Sequence, residues 1–89
     1  AARMFVGAAA VTRHGLMQSD IILVQAERKL LSQADELIVL VDSSKFAAAA
    51  GHLLCELARV HTLVTDNNID DASAKMIENV GVKLIVADI

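Results

Sequence analysis

The sequence predicts an α/β fold in which a parallel β-sheet packs against helices. Residues 37–41 are five consecutive aliphatic residues without polar alternation, a pattern typical of a strand buried on both faces. Residues 62–66 and 82–87 also have the lengths of strands, and segments with helical spacing of apolar residues lie before residues 37–41 and between the last two strands. Because strands alternate with helices, we expect right-handed crossovers and a parallel sheet.

Composition limits the class of protein. The 89 residues allow one small domain, and 55% hydrophobic content with only Phe5 and Phe46 as aromatics predicts an aliphatic core. A net charge of −3 without Trp or Tyr gives neither the basic field nor the stacking surfaces of a nucleic-acid site, so we expect this chain not to hold DNA by itself. The single Cys55 predicts a buried, unreactive thiol in a reducing compartment. No apolar stretch approaches the ~20 residues of a membrane span, so we expect a cytoplasmic protein without membrane contact.

The first part of the chain is predicted to contain a strand, a loop and a helix. The strand covers residues 3–11 and the loop covers 12–15. Ser19 is the expected N-cap of a helix that runs to about Ala34. Since the chain enters a core strand with no turn or cap before it, we expect residues 1–89 to be one incomplete domain that lacks its earlier half. The apolar positions expected to face the core are Leu23, Ala26, Leu30 and Ala34.

The second part contains one ambiguous segment and one clear helix. In residues 47–60 four alanines favour a helix but Gly51 interrupts them, so we expect a short helix or an irregular crossover. The later helix is capped by Asp70 or Asp71 and stopped by Gly81. The order strand, helix, strand, crossover, strand, helix, strand predicts a Rossmann-like parallel sheet with flanking helices. The expected inner face of the later helix comprises Ser73, Met76, Ile77 and Val80.

The candidate ligand-binding residues follow the central strand, at the sheet edge where open parallel sheets bind ligands. They form the tetrad Asp42-Ser43-Ser44-Lys45. The Lys45 ammonium can pair with a phosphate or carboxylate, while the hydroxyls and turn amides supply neutral hydrogen bonds. The alternative is that Asp42 and the serines cap the next turn and that Lys45 is solvated. Gly7, after the first strand, either lets a ligand approach closely or only relieves packing.

Other motifs give no cofactor site. The chain has neither a G-x-G-x-x-G pattern nor a P-loop, so we expect no nucleotide. His14, His52 and His61 are too scattered for a metal set, and we expect no cofactor of any kind. His14 lies in a loop at a strand's carboxyl end, where an imidazole can contact an anion or act as an acid or base. Asp66 also ends a strand, but we interpret it as a turn former.

Four segments of the chain carry a resemblance to a known family. They are FVGAAAVTRHGLM, ADELIVLVDSSKF, HTLVTDNNID and GVKLIVAD. Together they resemble the effector-sensing domain of DeoR-type bacterial transcription repressors, and the combination of DSSKF at a strand end with the later TD is the most specific part. The resemblance covers essentially the whole chain but only the later half of a complete sensing domain.

The resemblance implies a fold similar to ribose phosphate isomerases and glucosamine phosphate deaminases, with a sugar phosphate or related phosphorylated metabolite as ligand. In the isomerases a comparable D-x-S-K segment supplies a lysine to the substrate phosphate. That lysine corresponds to Lys45, with Asp42 opening the motif. The resemblance also implies a homo-oligomer that binds DNA through an N-terminal helix-turn-helix domain, which these residues do not include.

Two departures from the isomerases bear on catalysis. Where the isomerases have a lysine directly before a run of glycines, this chain has Val6, and where a glutamate follows their Thr-Arg pair it has His14. Because valine cannot move a proton, we expect a site that binds without turnover. One alternative is an enzyme of the isomerase or deaminase class with His14 or Asp42 as base. Another is a Rossmann-like interaction module that binds no ligand.

Overall fold

The computed structural model describes residues 2–48 and 51–88, which form two sheets and two helices. One sheet has four strands and the other has three. The predicted α/β class is confirmed. In chain order the elements are β1 (Arg3–Val6), β2 (Ala10–Thr12), β3 (Gly15–Gln18), α1 (Ile21–Leu31), β4 (Glu36–Leu40), β5 (His52–Glu56), β6 (Thr62–Asp66), α2 (Asp71–Asn79) and β7 (Lys83–Ala87).

The larger sheet is parallel throughout, with strand order β1-β4-β6-β7. Its register places Val6 opposite Val39, and Val39 opposite Leu63, and these three side chains belong to the core. The parallel sheet and the central strand β4 were therefore predicted correctly. The prediction that β4 is buried on both faces is wrong. Leu40, on the face opposite to Val39, is exposed, and the buried residues of both helices belong to the core that contains Val39.

The smaller sheet is antiparallel, with strand order β2-β3-β5, and it was not predicted. The single strand predicted over residues 3–11 is in fact divided into β1 and β2, and the predicted loop at 12–15 is the turn of the β2–β3 hairpin. The segment 47–60 contains β5 and a 3₁₀ turn, Leu57–Arg59, in place of the expected helix or irregular crossover. Residues 52–56 pair with β3 as a strand, and of the four alanines before them residues 49 and 50 lie outside the described residues.

Helix α1 differs from the prediction in its N-cap and in the side that faces the core. Its N-cap is Asp20, one residue after the expected Ser19, and the Asp20 carboxylate accepts a hydrogen bond from the Ile22 N–H at 2.9 Å. The helix buries Val24 and Leu31 and ends at Leu31. The predicted inner face of α1 is wrong. Residues 21–24 are all aliphatic, so the spacing of apolar residues does not decide which side of the helix faces the core. Three residues of the predicted face, Leu23, Ala26 and Leu30, are exposed.

Helix α2 follows the prediction more closely. Asp70 is the N-cap, and its carboxylate accepts a hydrogen bond from the Ser73 N–H at 2.7 Å. Ile77 is fully buried, whereas Val80 of the predicted inner face is exposed. Gly81 has a φ of +86°, a conformation that favours glycine and ends the helix. Neither helix in the described part of the chain has the length and apolar character needed to cross a bilayer.

Candidate ligand-binding site

The predicted tetrad forms a capped 3₁₀ turn at the carboxyl end of β4. The turn covers Ser43–Phe46, and Asp42 is its N-cap. The Asp42 carboxylate accepts a hydrogen bond from the Ser44 N–H at 3.0 Å and another from the Ser44 hydroxyl. The capping role that the sequence left as an alternative for Asp42 is therefore present, and it fixes the backbone from which Lys45 projects.

Lys45 is the cation of this turn. Its Nζ lies 3.6 Å from Oδ2 of Asp42, and its side chain is 36% exposed. An ion pair at such a surface contributes little to stability because water and salt screen it. The ammonium group therefore remains accessible to an anionic ligand, and ligand binding by Lys45 stays a prediction.

Asp66, at the end of the neighbouring strand β6, anchors the same turn. Its Oδ1 accepts a hydrogen bond from the Ser43 N–H at 2.5 Å, and its Oδ2 accepts one from the Ser43 hydroxyl at 2.9 Å. Oδ2 also accepts a hydrogen bond from the Asn68 N–H at 3.1 Å, which is the local turn role expected from the sequence. The bonds to Ser43 join two strand ends that are distant in sequence. They give a physical reason for DSSKF and the later TD to occur together.

Hydrogen bonds hold the pKa values of both carboxyl groups below their ordinary range. For Asp42 the larger cause is the Ser44 hydroxyl, followed by the Ser44 N–H. For Asp66 the largest cause is the Ser43 N–H. A carboxyl group whose pKa is lowered by folding stabilises the folded state above its unfolded pKa, about 3.9 for Asp. That contribution is lost as the pH falls through the lower, folded-state pKa.

We therefore expect the stability of the protein to fall on acidification below about pH 4, partly through Asp66. Asp66→Asn cannot titrate, so this variant should be less stable than the parent at neutral pH and should lose less stability on acidification. Thermal midpoints measured across the acid range test this expectation. Asp71→Asn, at an exposed position in the first turn of α2, is the control and should keep the acid response of Asp66. Equal acid slopes for Asp66→Asn and the parent would contradict the assignment.

Gly7 follows β1 at the same edge of the sheet. A methyl group added to its Cα would have the Leu40 carbonyl oxygen as nearest neighbour, at 3.6 Å, an ordinary van der Waals distance. Packing within the described residues thus does not require glycine here. The proposed close approach of a ligand to Gly7 stays a prediction.

Gln18 fixes the backbone around Gly7, and sequence reasoning missed it. The side chain is 7% exposed. Its Nε2 donates to the Gly7 carbonyl at 2.8 Å and to Oε1 of Glu27 at 2.9 Å, while its Oε1 accepts from the Ala9 N–H at 3.2 Å. Burial raises the pKa of Glu27, and the bond from Gln18 opposes that rise. No local signal marks this glutamine, because its partners belong to the loop after β1 and to α1.

A hollow of about 300 Å³ lies beside the turn, between the carboxyl ends of β4, β6 and β7. Leu40 and Val64 line it with apolar surface, and Asp42 and Asp66 supply carboxylates. Thr65 also lines it, and the buried hydroxyl of Thr65 has no hydrogen-bond partner among the described residues. The volume is at the lower end of small-ligand sites.

The remaining candidate residues are not brought together. His14 is exposed in the β2–β3 turn, His52 lies on β5, and Nδ1 of His61 accepts a hydrogen bond from the Leu37 N–H at 3.0 Å. Residues 2–48 and 51–88 contain no group of three or more metal-ligating side chains. Cys55 is half-buried, and burial raises the pKa of its thiol. Val6 is buried in the core.

Comparison with known proteins was made by family model and by sequence. The model of the DeoR C terminal sensor domain matches residues 1–67. The chain is 34% identical over 82 residues to the HTH-type transcriptional regulator UlaR of Shigella dysenteriae serotype 1, and this match covers 92% of the chain and 33% of the relative. The same values hold for UlaR of Escherichia coli (strain K12 / DH10B). The chain thus spans about a third of the length of the curated relatives it matches.

Proposed function

Because this chain belongs to the DeoR C terminal sensor domain family, we propose that it binds a sugar phosphate or related phosphorylated metabolite within a longer transcriptional repressor. Effector sensing for transcription regulation is the role of the family. The phosphorylated ligand is our proposal, and so are the contacts that Lys45, Asp42 and Gly7 make with it.

The observation that supports a phosphorylated ligand is the position of Lys45. Its ammonium group lies on a capped turn at the carboxyl edge of a parallel sheet, and Asp42, the N-cap of that turn, lines a hollow of about 300 Å³. Asp42 is its partner in the described structure, at 3.6 Å. A dianionic phosphate presents more charge than one carboxylate, so it competes well for Lys45.

The chain is not an enzyme, because the proteins it matches are transcriptional regulators with this sensor domain. The buried aliphatic side chain of Val6 agrees with that conclusion, since it cannot transfer a proton. We also propose that the parallel sheet is related to the fold of ribose phosphate isomerases and glucosamine phosphate deaminases. In that relationship the phosphate-binding lysine is retained as Lys45 and the catalytic lysine is replaced by Val6.

The proposed mechanism transmits ligand binding to DNA through a homo-oligomer in the cytoplasm. DNA is held by an N-terminal helix-turn-helix domain outside residues 1–89. A ligand at Lys45 that binds one arrangement of the oligomer more tightly than another shifts the population toward that arrangement. The resulting change in DNA affinity is at most the ligand's preference between the two arrangements. Because the coupling is reciprocal, DNA binding changes the ligand's affinity by the same factor.

The test is the thermal stability of the intact protein with ribose 5-phosphate and glucosamine 6-phosphate, each compared with its unphosphorylated sugar. A ligand at about a hundred times its dissociation constant adds roughly 2.7 kcal/mol to the stability of the folded state. We expect one phosphorylated compound to raise the midpoint and Lys45→Ala to weaken its binding about tenfold to a hundredfold, the range for a charge-assisted hydrogen bond.

Lys75→Ala is the matched control, because Lys75 is an exposed lysine on α2, away from the turn. This variant should bind as the parent does. An equal midpoint shift in Lys45→Ala and the parent would show that Lys45 is a solvated turn residue. A wider series of phosphorylated sugars without any shift would overturn the proposed ligand class.

A further inference from the structure

The second face of the parallel sheet is apolar and uncovered. Phe5 is 62% exposed, Leu40 is 50% exposed and Ile85 is 41% exposed, while Ile38 and Val64 between them are half-buried. We call these five side chains the open face. Isolated exposed aliphatic residues are ordinary on protein surfaces, but a contiguous group of this kind marks an interaction site.

The strand register shows that the open face is contiguous. Phe5 on β1 is paired with Ile38 on β4. Leu40 on β4 is paired with Val64 on β6, which in turn is paired with Ile85 on β7. Because side chains two residues apart share a face, Ile38 and Leu40 connect the two rows into one patch across all four strands.

Polar groups border this patch at both ends of the strands. At the amino end, Nε of Arg3 and Oε2 of Glu36 form an ion pair at 3.2 Å. At the carboxyl end, Asp66 borders the patch beside the hollow. An apolar centre with a polar border is the composition of a packing interface.

The described residues do not cover the open face because both helices lie on the other side. Val24 of α1 and Ile77 of α2 pack in one core with Val39 and Leu63. Those two strand residues alternate with the residues of the open face, so they point to the opposite side of the sheet. Parallel sheets are otherwise found almost only with both faces covered by helices.

We propose that helices of the same polypeptide, from outside residues 1–89, pack on the open face. This proposal rests on the proposed function only in placing the chain within a longer regulator. The curated relatives are about three times as long as the matched segment, which leaves ample chain for such helices. Helices linked to neighbouring strands are the usual cover of a parallel sheet, and this favours them over a second copy of the chain.

The same cover closes the hollow near the turn. Leu40 and Val64 belong both to the open face and to the lining of the hollow. A helix packed on the open face therefore supplies the missing wall of the hollow and shields Asp42 and Asp66 from bulk water. Ligand binding and packing of the cover are then favourably coupled.

Maleimide labelling of the intact protein tests the proposal without any ligand. Ile85→Cys introduces a thiol on the open face, and Lys75→Cys introduces one on an exposed position of α2 as the reference. The unsubstituted protein gives the background from Cys55. We expect Ile85→Cys to react at least about tenfold more slowly than Lys75→Cys in the folded protein and equally fast after unfolding.

The labelling rate after dilution, compared with the native mass of the protein, identifies what covers the open face. Slow labelling of Ile85→Cys that persists once dilution has reduced the native mass to that of a monomer supports helices of the same chain. Labelling that becomes fast as the native mass falls would show that a second copy covers the face, and labelling as fast as Lys75→Cys at all concentrations would show that it is solvated. Either result overturns the proposal, and both leave the binding of sugar phosphates to be decided separately.

Discussion

Gly15→Ala is expected to destabilise the protein by about 4 kcal/mol or more, the range of exceptional substitutions. Gly15 is the first residue of β3, directly after the turn of the β2–β3 hairpin, and has a φ of +144°. A Cβ at this position would lie 1.9 Å from the Cys55 carbonyl oxygen and 2.9 Å from the carbonyl carbon. Both neighbours are backbone atoms of β5, so the clash is relieved only by separating β3 from β5.

Gly51→Ala is the matched control, because a Cβ at residue 51 meets no heavy atom within 4 Å. Its stability should stay within about 0.5 kcal/mol of the parent. Urea unfolding followed by circular dichroism measures both variants. If Gly15→Ala were as stable as Gly51→Ala, the pairing of β3 with β5 would be wrong.

The same glycine shows why half of the fold was not predictable. The central strand of the parallel sheet is a continuous apolar run, and α2 has a start signal in Asp70 and a stop signal in Gly81, so local sequence was enough for both. Gly15 is required by a backbone contact with Cys55, which no local pattern reveals. The antiparallel sheet depends on such distant pairings, and the alanines of residues 47–50 favoured a helix instead.

The candidate site also has one part that local sequence predicts and another part that it does not. The turn after β4 was located correctly because a buried strand followed by polar residues is a local pattern. The hydrogen bonds between Asp66 and Ser43, and those between Gln18 and the loop after β1, connect elements that meet only in the folded chain. The residue types at these positions are compatible with ordinary turn and cap roles, so nothing in the local sequence favours the hydrogen bonds to distant elements.

Asp66→Ala is expected to weaken binding of the phosphorylated ligand by about tenfold or more, comparable with Lys45→Ala. The substitution removes the acceptors of the Ser43 N–H and the Ser43 hydroxyl. The turn is then held at its start by Asp42 alone, and the position of Lys45 is no longer fixed. Isothermal titration of the intact protein measures the loss. Asp71→Ala, which changes an exposed carboxylate on α2, should bind as the parent does.

The double variant Asp66→Ala with Lys45→Ala separates a positioning role from a direct contact. If Asp66 acts by holding the turn that carries Lys45, the double variant should bind no more weakly than Lys45→Ala alone, because the second substitution disturbs a group already lost. Asp66→Asn keeps one carbonyl oxygen for the Ser43 N–H, so its affinity should lie between those of the parent and Asp66→Ala. Losses that multiply in the double variant would instead mean that Asp66 contacts the ligand itself, and the carboxyl edge of β6 would then belong to the binding surface together with the turn after β4.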